Sequence, residues 1–171
     1  MEGFKKELKN IQKALLTGTS YMMPMVVAGG ILFSLSLLGG DATSTGIVVA
    51  NPLMANLKTI GAAGLFMMIP VLAAYVAYSI AGRPGLVPGF ILGYLANNTI
   101  GETGAKTGFL GALVLGIMAG YLVKWMKSWK VPNVIKSIMP ILIVPVISTG
   151  VLGLFYIYCI ANPMGSLINV L

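Results

Sequence analysis

The chain has 171 residues, of which 57% are hydrophobic and 9% are charged, and its mean hydropathy is +0.93. A soluble core cannot bury that much apolar surface, so the composition excludes a soluble globular protein and indicates an integral membrane protein. Eleven Lys and Arg against four Asp and Glu give a net charge of +7. Because these charges lie between apolar runs, they indicate membrane orientation and lipid headgroup contacts, and we expect no nucleic-acid partner.

The N-terminal segment predicts an amphipathic helix at the membrane surface. Apolar side chains recur at helical spacing on one face, and lysines occupy the rest: Phe4, Leu8, Ile11 and Leu15 against Lys5, Lys6, Lys9 and Lys13. We assign residues 1–18 to this helix and 19–163 to a membrane bundle. The apolar run from Ala14 to Gly40 holds 27 residues without charge. That length exceeds the apolar region of a signal peptide, so an uncleaved first span is expected at Ser20–Leu38.

Four further apolar segments predict four further spans, which makes the fold an all-α bundle of five transmembrane helices. They are Thr59–Ala81, Leu86–Ile100, Thr107–Val123 and Ser137–Ile160. Between the first two spans, Asp41–Asn56 is polar, rich in turn residues and free of Lys and Arg, as expected of an external loop. A short interfacial helix is expected there at Gly46–Leu57.

A tight turn, Gly82-Arg83-Pro84-Gly85, ends the second span. Arg83 is better placed at the cytoplasmic surface than in lipid, so with Pro84 and Gly85 it predicts a topology anchor. A gate at the cytoplasmic mouth is the alternative. Trp125 and Trp129, interleaved with lysines, predict an aromatic and basic belt at the same surface.

The third segment is short, and it either crosses the membrane or re-enters. If it crosses, nine of the eleven basic residues lie on the N-terminal side, and only Lys58 and Lys106 lie on the other. The nine are Lys5, Lys6, Lys9, Lys13, Arg83, Lys124, Lys127, Lys130 and Lys136. Without crossing, this asymmetry is lost, so crossing is favoured.

Polar residues at the outer end of the third segment are the candidate substrate-binding groups. Asn97, Asn98, Thr99 and Glu102 offer amide, hydroxyl and carboxylate groups that can hydrogen-bond to the hydroxyl groups of a substrate. A polar external turn explains the same residues without a ligand. No span carries an ionisable residue at mid-depth, which argues against a charged substrate or proton site in this chain.

Two small-residue motifs predict close helix packing: Gly89-x-x-x-Gly93 and Ala112-x-x-x-Gly116-x-x-x-Gly120. They suit either a dimer face or packing within one bundle. The chain has no histidine, and its single cysteine, Cys159, lies in an apolar run. We therefore predict no catalytic residue, no metal ion and no cofactor in this chain.

Four runs carry a resemblance to a known family. In chain order they are Leu15-Leu16-Thr17-Gly18 to Gly29-Gly30-Ile31-Leu32, Ile69-Pro70-Val71-Leu72 to Ala81-Gly82-Arg83-Pro84-Gly85, Gly108-Phe109-Leu110-Gly111 to Gly120-Tyr121, and Ile141 to Pro145. Their order and spacing resemble the membrane permease (IIC component) of the bacterial phosphotransferase system, fructose class. The resemblance covers nearly the whole chain but only the first half of such a permease. Residues 164–171 are therefore expected to begin the connection to an absent second half.

The resemblance implies two bundles with different tasks. The first, to which this chain corresponds, forms most of a homodimer interface, and the second carries the sugar across the membrane. The family's sugar-site signature, a Gly-Ile-Thr-Glu-like run followed by Ile-Pro-Phe, belongs to the second bundle, and Gly101-Glu102-Thr103-Gly104 does not match it. The implied partners are the lipid bilayer, a second copy, fructose or a similar sugar, and cytoplasmic phosphocarrier domains IIB and IIA.

These expectations combine into one hypothesis: a multi-pass protein of the bacterial inner membrane, with a cytoplasmic N-terminus, that forms the static half of a phosphorylation-coupled sugar permease. A small autonomous membrane scaffold, or a homo-oligomeric channel without transport, is the alternative from another class. A dual-topology transporter requires nearly balanced flanking charges, and nine against two is not balanced.

Overall fold

This computed structural model describes residues 2–43, 46–49, 51–98, 107–129 and 138–161. The helices are α1 (Glu2–Leu37), α2 (Pro52–Ala81), α3 (Arg83–Asn97), α4 (Gly108–Lys127) and α5 (Val144–Phe155). Strands β1 (Asp41–Thr43) and β2 (Gly46–Val48) form a short antiparallel hairpin, in which Ala42 pairs with Ile47. A π-helical segment adjoins each end of α5: Met139–Ile143 precedes it and Tyr156–Ala161 follows it.

The helix lengths confirm the prediction of an all-α membrane protein. Within the described residues, four helical stretches are long and apolar enough to cross a bilayer: Gly3–Leu37, Pro52–Ala81, Gly108–Lys127 and Met139–Ile160. Helix α3 has 15 residues, which at 1.5 Å per residue is about 22 Å, shorter than a hydrocarbon core of about 30 Å. The third segment is thus short, as predicted, and its crossing stays a prediction.

The connection between α1 and α2 differs from the expectation. Instead of an interfacial helix at Gly46–Leu57, the chain forms strand β2 and then enters α2 at Pro52. The side-chain oxygen of Asn51 accepts a hydrogen bond from the Leu53 N–H at 3.0 Å, which caps the new helix, and proline is favoured at a first helical position. Helix α2 is therefore longer than the predicted span Thr59–Ala81.

The N-terminal amphipathic segment and the first span belong to one continuous helix. Helix α1 runs from Glu2 to Leu37 with Pro24 inside it. The predicted division of the chain at residue 18 therefore coincides with no break in the helix, and it stays a prediction.

The chain divides into two compact units. The larger unit comprises Met1–Ser20 and Ile69–Leu171, and the smaller unit comprises Tyr21–Met68.

The larger unit is built around the second part of α2, Ile69–Ala81, whose residues are mostly buried. The buried apolar residues there are Ile69, Val71, Leu72, Ala73, Ala74, Val76, Ala77 and Ala81. A Cβ added at Gly89 of α3 would lie 2.6 Å from the Ala74 Cα, and one added at Gly116 of α4 would lie 2.8 Å from the Ala73 carbonyl oxygen. The α3 and α4 backbones therefore pack directly on the α2 backbone, which only small residues permit.

In the smaller unit, glycines likewise allow the backbones of α1 and the first part of α2 to pack directly on each other. A Cβ added at Gly29 would lie 2.7 Å from the Leu65 backbone nitrogen, and Cβ atoms added at Gly61 and Gly64 would also lie within 3 Å of the α1 backbone. Gly29 falls within the apolar run of the predicted first span, but no predicted packing motif includes Gly61 or Gly64.

The contact between Gly116 and α2 gives a stability prediction. We expect Gly116→Ala to lower the free energy of unfolding by about 1–3 kcal/mol, because the added methyl group overpacks the α2 backbone. Gly150→Ala is the matched control, since a Cβ at Gly150 meets nothing within 4 Å. Unfolding in mixed detergent micelles, followed by tryptophan fluorescence, measures both. Equal stability of the two variants would contradict the packing described.

Candidate functional site

The residues predicted as a topology anchor or gate lie where α2 ends and α3 begins. Only Gly82 connects the two helices, and Arg83, Pro84 and Gly85, predicted as a turn before the third segment, form the first residues of α3. Gly82 has φ +78° and ψ −158°, a conformation essentially reserved for glycine. Pro84 lies in the first turn of α3. Backbone N–H groups there have no intrahelical acceptor, so the missing N–H of proline costs no hydrogen bond. Gly85 is buried, and its N–H donates to the Gly82 carbonyl at 3.0 Å, while Arg83 is exposed. The turn is therefore tight, with its single charge directed outward.

Lys127, the last residue of α4, forms a hydrogen bond to the end of α2, next to this turn. Its Nζ donates a hydrogen bond to the Ala81 carbonyl oxygen at 3.0 Å. Ala81 is the last residue of α2, and a lysine ammonium at a helix C-terminus satisfies an orphan carbonyl and interacts favourably with the helix dipole. Because 46 residues separate the partners, no local sequence pattern indicates this contact.

The start of α1 lies beside the same end of α4. The Tyr121 hydroxyl donates to the Glu7 Oε2 at 2.7 Å. A Cβ added at Gly18 would lie 2.9 Å from the Leu72 carbonyl oxygen, so α1 also meets α2 closely. We call this end of the larger unit the basic end, defined by Lys5, Lys6, Lys9, Lys13, Arg83, Lys124 and Lys127. Lys130 and Lys136 lie outside the described residues.

The candidate sugar-binding residues lie at the other end of α3. Asn97, its last residue, is only 9% exposed. Asn98 is partly buried, and its Nδ2 donates to the Tyr94 carbonyl at 2.8 Å, so this amide is engaged with its own helix. Thr99 and Glu102 lie outside the described residues. A role for these residues in sugar binding stays a prediction.

A buried polar pair stands near the start of α4. The hydroxyl groups of Thr107 and Tyr156 lie 2.8 Å apart, and the two side chains are 8% and 0% exposed. This hydrogen bond joins α4 to the π-helical segment after α5. The one sequence signal is the presence of a tyrosine inside an apolar span, since a buried phenol usually finds a polar partner.

The five residues predicted for helix packing are all buried in the larger unit. They are Gly89, Gly93, Ala112, Gly116 and Gly120. A Cβ added at Gly93 would lie 2.8 Å from the Pro70 Cα, and one at Gly120 would lie 2.8 Å from the Ile80 Cβ. The four glycines therefore face α2 of their own chain.

Comparison with known proteins gives a consistent family match. Residues 17–171 match the family model for the phosphotransferase system, EIIC. The Fructose-like permease IIC component 2 of Escherichia coli (strain K12) is 40% identical over 95% of this chain and 44% of its own length. The PTS system fructose-specific EIIC component of Haloferax volcanii is 38% identical over 95% of this chain and 47% of its own length.

A longer relative matches the same region. The PTS system fructose-specific EIIB'BC component of Rhodobacter capsulatus is 46% identical over 90% of this chain and 25% of its own length. The chain thus spans less than half the length of these curated relatives. No solved structure matches it.

The Thr107–Tyr156 pair gives a second stability prediction. We expect Tyr156→Phe to lower the free energy of unfolding by about 1–3 kcal/mol, because it leaves the Thr107 hydroxyl buried without this partner. Thr107→Val should lower the free energy of unfolding by a similar amount. The double variant should lower it by clearly less than the sum of the two single-variant effects. A double-mutant cycle in detergent micelles measures this coupling. Strict additivity would show that the two hydroxyls do not interact.

Proposed function

We propose a function for this chain from one premise: it belongs to the phosphotransferase-system EIIC family. The chain acts as a membrane part of a sugar permease, and the sugar is taken up in a process coupled to its phosphorylation. The observation that carries this proposal is the match along residues 17–171, together with relatives whose names specify fructose. Fructose or a similar sugar is therefore the proposed substrate.

The distribution of charge within the helices supports a static, wall-forming role for this chain. In the described helices, charged residues occur in α1 up to Lys13, in α2 at Lys58, in α3 at Arg83, and in α4 from Lys124 onward. The described stretch Met139–Ala161 carries none. Ionisable groups at mid-depth mark the substrate and proton sites of many transporters. We therefore propose that the sugar site lies outside this chain.

The basic end supports an orientation. Its seven described Lys and Arg residues gather at one end of the larger unit, and cytoplasmic membrane surfaces attract such residues. The N-terminus and the α2–α3 turn are accordingly cytoplasmic, and the protein is multi-pass in the bacterial inner membrane. Relatives named EIIB'BC join the B and C components in one chain, and a relative named EIIABC joins A, B and C. Phosphocarrier IIB and IIA domains are therefore proposed to face the basic end.

A homodimer is proposed through an open groove on α1 within the smaller unit. The groove is lined by Gly30, Ile31, Ser34, Leu35 and Leu38. A Cβ added at Gly30 meets nothing within 4 Å, and Ser34 is exposed. Small residues four apart on an unoccupied helix face allow a second helix to approach closely. Because the predicted packing glycines of α3 and α4 face α2, this groove is the better candidate for the dimer contact.

Uptake measurements test the proposed function. We expect the 171-residue chain alone to give no phosphoenolpyruvate-dependent uptake of labelled fructose. Uptake should appear when it is co-expressed with the unmatched part of a fructose EIIC relative and with the phosphocarriers. Transport by the chain alone would contradict the static role, and failure of every combination would contradict the permease assignment.

Substitution in the α1 groove tests the dimer. We expect Gly30→Ile to lower the dimerisation constant at least fivefold, since a loss of about 1 kcal/mol has that effect. Gly150→Ile is the matched control, because a Cβ at Gly150 likewise meets nothing within 4 Å. Cross-linking in native membranes measures the dimer fraction at several expression levels. An unchanged fraction in Gly30→Ile would exclude this face.

A further inference from the structure

We infer that a polar pocket at the basic end binds the phosphate group of an anionic phospholipid. The pocket has a volume of about 200 Å³ and is lined by Asn10, Lys13, Ser79, Ile80, Tyr121 and Lys124. It lies entirely within the larger unit, where α1, α2 and α4 meet. This inference goes beyond the proposed function and does not depend on it.

The charge of the lining favours an anion. Lys13 and Lys124 bring two ammonium groups to one small pocket, and Asn10 and Ser79 add uncharged polar groups. Among the residues that the structure describes, no acidic side chain lines it. The Glu7 carboxylate lies nearby, where it accepts a hydrogen bond from the Tyr121 hydroxyl at 2.7 Å and interacts electrostatically with Lys124. Two ammonium groups against this one carboxylate leave the pocket with a net positive charge. A phosphate offers several acceptor oxygens and a negative charge, which matches ammonium and amide donors.

One of the two lysines is held in place by an aromatic ring. The Lys124 Nζ lies 5.6 Å from the centroid of the Tyr121 ring, within the range of a cation–π contact. The same tyrosine is fixed at its other end by Glu7. This contact favours a position of the Lys124 ammonium beside the pocket, which lowers the entropy cost of binding an anion.

The aromatic neighbours of the pocket place it at headgroup depth. Trp125 follows Lys124 directly, and its ring packs edge to face with that of Trp129 at 5.0 Å. Both tryptophans are exposed. Exposed tryptophans at the end of an apolar helix lie at the level of lipid headgroups. A membrane-bound phosphate is therefore the expected occupant, in preference to a soluble one.

Native mass spectrometry of the purified full chain tests the site, with phosphatidylglycerol supplied in a phosphatidylcholine background. We expect the double variant K13A/K124A to retain at least fivefold less phosphatidylglycerol than the double variant K5A/K9A. The two variants have the same net charge, but Lys5 and Lys9 do not line the pocket. Equal retention would show that only general surface charge acts and would overturn the site.

Two further arms complete the test. Ser79→Leu fills the pocket without changing its charge, and it should lower phosphatidylglycerol retention while K5A/K9A does not. Retention in Ser79→Leu at the level of the unmodified chain would contradict a pocket. Millimolar inorganic phosphate or glycerol 3-phosphate should not displace the lipid. Displacement would assign the pocket to a soluble phosphate and overturn the lipid.

Discussion

The structure depends on the close approach of backbones around one stretch of α2, Ile69–Ala81. Helices α3 and α4 meet this stretch through glycines whose added Cβ atoms would lie within 3 Å of α2 atoms, and α1 meets it at Gly18. Apolar side chains alone give little net gain between helices in lipid, whereas backbone proximity allows extensive van der Waals contact. The α2 stretch is therefore the central element of the larger unit, on which α1, α3 and α4 pack.

This packing has an electrostatic consequence. It brings together basic residues that are far apart in sequence: Lys13 and Lys124 line one pocket, and Lys127 caps α2 directly before the Arg83 turn. A cluster of charges with a net positive sign is very costly in hydrocarbon, so this end lies at a membrane surface. The same gathering underlies the proposed orientation, and it forms the surface that we propose for anionic lipids and for phosphocarrier domains.

Features set by composition and local residues could be predicted from the sequence. The apolar lengths predict the membrane helices, and Gly82-Arg83-Pro84-Gly85 predicts the end of α2, although the structure makes Gly82 alone the connection and begins α3 at Arg83. Contacts between distant residues could not be predicted, because neither Lys127 with Ala81 nor Thr107 with Tyr156 leaves a periodic signal. The β1–β2 hairpin was missed for a local reason: Ile47 and Val48 suit a strand as well as a helix.

The placement of the basic end at one surface is tested most directly by cysteine labelling. After replacing Cys159, the exposed native thiol, single cysteines are introduced at Lys9, Arg83, Lys127 and Lys58 and treated with a membrane-impermeant maleimide. The proposed orientation predicts that the first three are protected in intact cells and labelled in inverted vesicles, and that Lys58→Cys shows the reverse. Labelling of Lys9→Cys and Arg83→Cys from opposite sides would contradict it.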